Sequence, residues 1–223
     1  MDAETLAIAR FSAGMAALAT IVALVPGIGV AWLLARGRFR GRLVVETLVS
    51  LPLVLPPVAT GLLLLWLFGR RSPVGRALDA AGIEVIFTWK AVVVAMAVIT
   101  FPLIVRTVRA AIEQVDPRYE QIAATLGAGP WRILLTVTLP LAYRGVLAGA
   151  LLGFSRALGE FGATIMVAGS IPGRTQTLAL AIFDFVEAGR EDAAVGLLVV
   201  SLVLAFGAVL LSNLLAARPG ARA

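Results

Sequence analysis

The segment DPRYEQIAATLG at residues 116–127, followed by VTLP at residues 137–140, decides how this chain can be organised. It is a polar interval in a chain of 223 residues that is 60% hydrophobic and only 14% charged, with a mean hydropathy of +0.98. Such values indicate a polytopic helical membrane protein. A membrane protein has little use for a polar interval of this kind unless something in the water docks on it.

Local signals predict a pair of short helices in this interval. Asp116 is a good N-cap, Pro117 suits the first helical position, and Gly127 suits a left-handed stop. Pro130 can start a second helix, which we expect to end near Pro140. Apolar residues recur at helical spacing along the first helix, at Val115, Tyr119, Ile122 and Leu126. Periodicity alone is also compatible with an amphipathic connector that lies on the bilayer surface.

Five hydrophobic stretches accompany this helix pair, three before it in the chain and two after it. A helical span needs about 20 apolar residues to cross about 30 Å of hydrocarbon. Prolines 52, 56 and 57 interrupt the second stretch, so we expect it to bend beside a cavity. The predicted spans are 12–35, 43–68, 91–108, 145–168 and 193–216. The predicted fold class is therefore an all-α polytopic membrane protein with about five spans, a helix pair at 112–140 and a short outer helix within 175–187.

The distribution of basic residues predicts the orientation. The connections 36–42 and 106–144 and the C-terminal tail together carry eleven basic residues against three acidic ones. The opposite side carries seven basic residues against eight acidic ones. Basic residues are enriched in cytoplasmic connections. We therefore expect the helix pair and the C-terminus in the cytoplasm and the N-terminus outside.

Composition also restricts the chemistry of the chain. It contains no cysteine and no histidine, which excludes disulfides, thiolate zinc sites and imidazole bases. There is no Gly-x-x-x-x-Gly-Lys-Ser/Thr loop for ATP phosphates. The net charge of +6 reports membrane topology and does not predict nucleic-acid binding. We expect no cofactor and no metal site.

The spacing of the helix pair resembles the signature of importer-type ABC-transporter permease subunits. That signature reads Glu-Ala-Ala, three residues, Gly, nine residues, then Ile-x-Leu-Pro. Here QIA at 121–123, Gly127 and VTLP at 137–140 keep the same gaps. Gln121, Ile122 and Val137 depart from the pattern, and the acidic Glu120 lies one position early. The resemblance implies that the residues that couple to an ATPase are Glu120, Gln121, Ile122, Ala123, Gly127, Leu139 and Pro140.

Three further stretches resemble the molybdate branch of that family, and the resemblance covers nearly the whole chain as one permease domain, 1–223. They are SLPLVLPPVATG at 50–61, SRALGEFGAT at 155–164 and PGRTQTL at 172–178. The resemblance implies a homodimer in the cell membrane, with two cytoplasmic ABC ATPase subunits and an extracytoplasmic substrate-binding protein. It also implies ATP-driven import by alternating access. Tungstate, sulfate and thiosulfate remain alternative substrates, because permeases for these oxyanions look much alike here.

The fourth span carries a smooth face and two charges. Gly145, Gly149 and Gly153 recur every fourth residue, which predicts close helix packing, within one subunit or between two. Arg156 and Glu160 are costly in a membrane, and their i, i+4 spacing lets them neutralise each other. One interpretation is a buried ion pair that holds helices in register. The other is that the path of a dianion is lined by Ser155, Arg156, Glu160 and Thr164.

The outer segment 170–190 has two interpretations as well. It can be a solvated loop, whereas the family resemblance implies a docking surface or gate for the binding protein. The candidate residues are Thr175, Gln176 and Thr177. Two other function classes fit less well. An intramembrane enzyme lacks a histidine base and a carboxylate dyad, and a passive channel or scaffold does not explain the helix pair.

Overall fold

The computed structural model describes residues 3–216, and all regular secondary structure among them is helical. The elements are α1 (Ala3–Arg36), α2 (Arg42–Val54), α3 (Pro57–Phe68), α4 (Pro73–Ala80), α5 (Trp89–Glu113), α6 (Pro117–Thr125), α7 (Pro130–Ile133), α8 (Leu139–Leu158), α9 (Gly162–Ala168), α10 (Leu178–Glu187) and α11 (Glu191–Ala216). The predicted fold class is confirmed. Asp2, Arg218, Arg222 and the C-terminus, which entered the orientation prediction, lie outside the described residues.

The described residues contain four helices that are long and apolar enough to cross a membrane, and five if a bent pair counts as one span. The four are Ala3–Arg36, Trp89–Glu113, Pro130–Leu158 and Glu191–Leu215. The first, third and last predicted spans match these helices, with observed ends up to nine residues further out. The short outer helix is α10, which begins at Leu178.

The second predicted span is the bent pair, in which α2 and α3 meet at 111°. The predicted bend is therefore confirmed, and its cause is the proline cluster. Pro52, Pro56 and Pro57 have no N–H, so the carbonyls of Leu48, Pro52 and Leu53 lose their helical donors. Backbone of this kind is tolerated at membrane depth only where protein or water covers it.

Two predictions about the fourth span are wrong. The helix that begins at Pro130 does not end near Pro140 but continues to Leu158. A π-helical turn over Leu134–Thr138 makes this possible, because the wider turn places Leu139 N on Leu134 O and gives room to the ring of Pro140. The span also does not continue unbroken to residue 168, since the chain breaks at Gly159 and restarts as α9.

The core of the bundle is the packing of α1 and α8 on α5. Gly145, Gly149 and Gly153 of α8 face α5 within the same chain. A Cβ placed on these glycines would lie 2.2 Å from Ala111 Cβ, 3.3 Å from Thr107 Cβ and 2.8 Å from Ile104 Cδ1, respectively. The two backbones therefore approach as closely as glycine permits, which is how membrane helices gain van der Waals contact.

The two ends of the bundle are each held together by long-range contacts. At one end, Arg36 of α1 contacts both the end of α5 and Glu120 of α6. At the other end, Ser12 of α1 contacts the start of α10. The connections 36–42 and 106–144 thus lie at the same end of the bundle.

We predict that Gly153→Val destabilises the protein by about 1–3 kcal/mol, because the added side chain overpacks the α5–α8 contact. Thermal unfolding of the purified protein in detergent measures this. Gly14→Val is the matched control, since a Cβ at Gly14 has no atom within 4 Å. Equal melting temperatures for the two variants would contradict the close packing.

Candidate functional site

The helix α6 begins and ends as its sequence predicts. Asp116 is the N-cap, and its carboxylate accepts a hydrogen bond from Arg118 N at 2.9 Å. Gly127 has φ +85°, the left-handed conformation predicted for the stop. Around it, Ala128 N bonds to Ala123 O and Gly127 N to Ala124 O, both at 3.0 Å. This pair of bonds is a Schellman C-cap, which satisfies the last carbonyls of the helix.

The helix pair presents an apolar surface outward. Of the predicted stripe, Val115 is buried, while the other three residues are exposed, Leu126 by 83%. Apolar side chains of the second helix and its π turn continue the surface. It consists of Tyr119, Ile122, Leu126, Trp131 and Leu135, which we call the docking surface. Several exposed large apolar and aromatic side chains on one short helix pair are typical of a protein-binding surface.

Glu120 does not belong to the docking surface. Its side chain is 15% exposed, and its Oε2 lies 2.9 Å from Arg36 Nε at the end of α1. Its Oε1 accepts a hydrogen bond of 2.7 Å from Thr138 Oγ1 in the π turn. Both carboxylate oxygens are therefore used within the chain, and the carboxylate faces the bundle.

Of the other candidate coupling residues, Ile122 belongs to the docking surface and the rest lie in the same helix pair or at the start of α8. Gln121, Ile122 and Gly127 are exposed, and Ala123 is half-buried. Pro140 is exposed and Leu139 half-buried at the start of α8. A shallow groove runs between α6 and the π turn, lined in part by Ile122, Ala123 and Pro140. Apart from Glu120, the candidates therefore lie on the side of the helix pair that faces away from the bundle, or next to it.

Arg156 and Glu160 form the ion pair that their spacing predicts. Arg156 Nη2 lies 2.9 Å from Glu160 Oε2, with the arginine side chain 35% exposed and the carboxylate 1% exposed. The other carboxylate oxygen accepts a hydrogen bond of 2.9 Å from Ala163 N, in the first turn of α9. Glu160 therefore satisfies one of the free amides that the helix break creates.

Ser155 and Thr164 lie on either side of the break. Ser155 is half-buried, and its Oγ donates to Leu151 O within α8 at 2.9 Å. Thr164 is fully buried in α9, and no hydrogen-bond partner for its Oγ1 occurs among residues 3–216. Thr60 in the facing α3 is also buried, and its Oγ1 likewise has no hydrogen-bond partner among these residues. Two buried hydroxyls therefore lie at the crossing of the broken helices.

The predicted outer gate residues lie inside the protein. Thr175, Gln176 and Thr177 are buried, so they cannot form an exposed docking surface as expected. Gln176 Nε2 donates to Asp184 of α10 at 2.7 Å, and Thr175 Oγ1 accepts from Ile171 N at 3.0 Å. The polar side chains fold back because the loop supplies amides and a carboxylate that need partners.

Arg36 and Ser12 are contact residues that the sequence interpretation missed. Arg36 entered it only as one of four arginines in a basic connection, and Ser12 only as the start of a span. Their partners are 76 to 166 positions away. No periodicity or local motif marks contacts of that separation.

The fold and the site together define a multi-pass membrane protein with an exposed apolar surface at one end of the bundle. Residues 27–219 match the family model described as "Binding-protein-dependent transport system inner membrane component". The chain belongs to this family. The interpretation as a transport component, without catalytic chemistry of its own, is thereby confirmed.

Individual relatives are similar over most of their length. The chain is 46% identical to the molybdenum transport system permease protein ModB of Escherichia coli K12, covering 91% of this chain and 89% of ModB. It is 39% identical to the sulfate transport system permease protein CysT of the same organism, covering 84% and 67%.

Two solved structures show the same fold. One is a bacterial alginate ABC transporter in complex with an alginate-bound periplasmic protein, with a TM-score of 0.72, 16% identity, and coverage of 97% of this chain and 79% of that one. The other is the MetNI methionine ABC transporter in an inward-facing conformation, with a TM-score of 0.66, 18% identity, and coverage of 98% and 100%. Identity this low supports the fold alone.

We predict that Glu160→Ala destabilises the protein by roughly 3 kcal/mol, because it leaves Arg156 unpaired and an α9 amide without its acceptor. Thermal unfolding in detergent measures this change. Ser155→Ala is the matched control and should have little effect, since the Ser155 hydroxyl bonds only to its own helix. A melting temperature for Glu160→Ala equal to that of the control would contradict the capping role.

Proposed function

We propose that this chain is the permease subunit of an ATP-driven importer whose substrate is molybdate. The observation that carries the proposal is 46% identity to ModB over nine-tenths of the chain. The similarity covers 204 residues, so it includes nearly all of the chain. Two copies of the chain, forming a homodimer, enclose the pathway by this proposal.

The docking surface is the proposed contact with a cytoplasmic ABC ATPase, one ATPase subunit for each permease copy. Its exposed aromatic and aliphatic side chains suit a helix that enters an apolar groove. Ile122 and Leu126 point away from the bundle, and the small residues Ala123 and Gly127 allow close approach beside them. The resulting topology has this end and the C-terminus in the cytoplasm and the N-terminus outside, in agreement with the charge bias.

The pathway is proposed to run past the break between α8 and α9. Arg156 is one-third exposed and paired to a carboxylate, so its attraction for a dianion is weak. Weak attraction favours passage over trapping. The buried hydroxyl of Thr164 and the neighbouring Ser155 are polar groups that can exchange hydrogen bonds with a tetrahedral oxyanion. High affinity for the substrate then belongs to the extracytoplasmic binding protein.

Sulfate is the second candidate substrate, because CysT is 39% identical to this chain. The higher identity and longer coverage of the molybdenum permease favour molybdate. Both ions are tetrahedral dianions, so the same polar groups can contact either.

We predict that proteoliposomes with the permease, its ATPase and its binding protein take up radiolabelled molybdate only when ATP is supplied inside. Unlabelled molybdate should abolish the uptake of label, while a hundredfold excess of sulfate should leave most of it. Omission of the ATPase is the control. Uptake that sulfate removes and molybdate does not would assign the chain to sulfate instead.

We predict that Gly127→Val uncouples ATP hydrolysis from uptake. A β-branched residue at φ +85° costs roughly 1–2 kcal/mol, so the C-cap shifts and the docking surface changes shape. The measured quantity is molybdate transported per ATP hydrolysed. Gly129→Val is the matched control, because Gly129 has φ −72° and a Cβ there has no atom within 4 Å. A wild-type ratio for Gly127→Val would contradict the assigned docking geometry.

A further inference from the structure

The helix α1 makes side-chain contacts with other helices towards each of its ends. It is one continuous helix from Ala3 to Arg36, with Pro26 inside it, and is about 50 Å long at 1.5 Å per residue. Buried residues recur along its whole length, from Thr5 to Leu34, and most of its packing is on α5. These features make α1 and α5 a single packed unit that extends from one end of the bundle to the other.

At the inner end, Arg36 joins this unit to the helix pair. Its Nη2 donates to the carbonyls of Ile112 at 3.0 Å and Val115 at 2.7 Å, at the C-terminal end of α5. Its Nε lies 2.9 Å from Glu120 of α6, and the two side chains are only 20% and 15% exposed. An arginine that caps one helix while it pairs with a carboxylate of another fixes both in place.

A second contact supports the first. The rings of Trp32 in α1 and Trp131 in α7 have centroids 5.6 Å apart, within the range of favourable aromatic pairs. The two short helices, α6 and α7, are thus each held to the last turns of α1. A displacement of the helix pair would therefore act on α1 directly.

At the outer end, α1 supplies the cap of α10. Leu178 N, the first amide of α10, donates to Ser12 Oγ at 2.7 Å, and both residues are buried. The N-cap residue of α10, Thr177, makes no side-chain capping bond of its own. Arg190, which follows α10, lies 3.3 Å from Glu4 in the first turn of α1. The start and the end of the α10 region are therefore both attached to α1.

We propose that α1 transmits movement of the helix pair to the outer helix α10, with Glu120–Arg36 as its inner link and Ser12–Leu178 as its outer link. The inference rests on the proposed function, since it names the route by which an ATPase bound at the docking surface acts on the outer side. Glu120 is then a positioning residue that acts through Arg36 and does not touch the ATPase. The route is a contiguous set of packed, ion-paired and hydrogen-bonded groups.

The test uses the complete permease–ATPase complex in proteoliposomes with the binding protein. The chain has no cysteine, so Val186→Cys, at an exposed position in α10, accepts a single fluorophore. ATP should change its emission in the wild-type background. Glu120→Gln and Ser12→Ala should each reduce this change by at least about fivefold and lower molybdate transported per ATP. Ser12→Thr, which keeps a hydroxyl, should restore both.

Glu46→Gln is the matched control, because it removes a carboxylate paired to Arg109 at 2.8 Å that links α2 to α5 and does not involve α1. It should keep the full response. A full ATP-dependent change in emission in Ser12→Ala would overturn the proposal, whether or not Glu120→Gln also keeps the full change. If Glu120→Gln does not assemble with the ATPase, Ser12→Ala and its rescue decide. Absence of ATP-dependent molybdate uptake in the unmutated complex would instead contradict the proposed function.

Discussion

Close approach of the α8 backbone to α5 is the contact on which the arrangement of the bundle depends. Three glycines at four-residue intervals mean that α8 places no side chain of its own between the helices. The side chains of Ala111, Thr107 and Ile104 of α5 therefore pack directly on the α8 backbone. In a bilayer there is little hydrophobic gain from joining two apolar helices, so packing of this kind supplies the association energy. With α8 fixed on α5 and α1 packed against both, the positions of the helix pair and the break before α9 follow.

The two interrupted helices show how the backbone is satisfied at membrane depth. Just after the end of α8, the Glu160 carboxylate accepts a hydrogen bond from an amide of α9 and forms an ion pair with Arg156. One side chain thus satisfies a free backbone N–H and neutralises a charge. Gly61 and Ala163 bring α3 and α9 into close contact, with a Cβ at Gly61 only 2.8 Å from Ala163 Cα. The breaks therefore meet across one crossing, where Thr60 and Thr164 are buried.

The helix pair separates two roles that its sequence places side by side. Ile122 and Leu126 face away from the bundle, whereas Glu120 faces inward to Arg36 and Thr138. One face thus exposes apolar side chains, and the other contacts α1 and the π turn that precedes α8. A helix as short as α6 can do both because successive residues point in directions about 100° apart. The π turn contributes as well, since it holds Thr138 beside Glu120 while the helix continues past Pro140.

Sequence alone determined the features that depend on neighbouring residues. The spans follow from runs of apolar residues, the limits of α6 from Asp116 and Gly127, and the Arg156–Glu160 pair from its spacing of four. Tertiary structure alone decided that Pro140 lies inside a continuous helix, that Glu120 faces the bundle, and that Thr175, Gln176 and Thr177 are buried. The direction in which Glu120 faces depends on a group far away in the chain, Arg36, just as the first amide of α10 at Leu178 depends on Ser12, 166 positions away. A local pattern cannot report which distant donor or acceptor will satisfy a polar group, because only the packed helices bring the two within bonding distance.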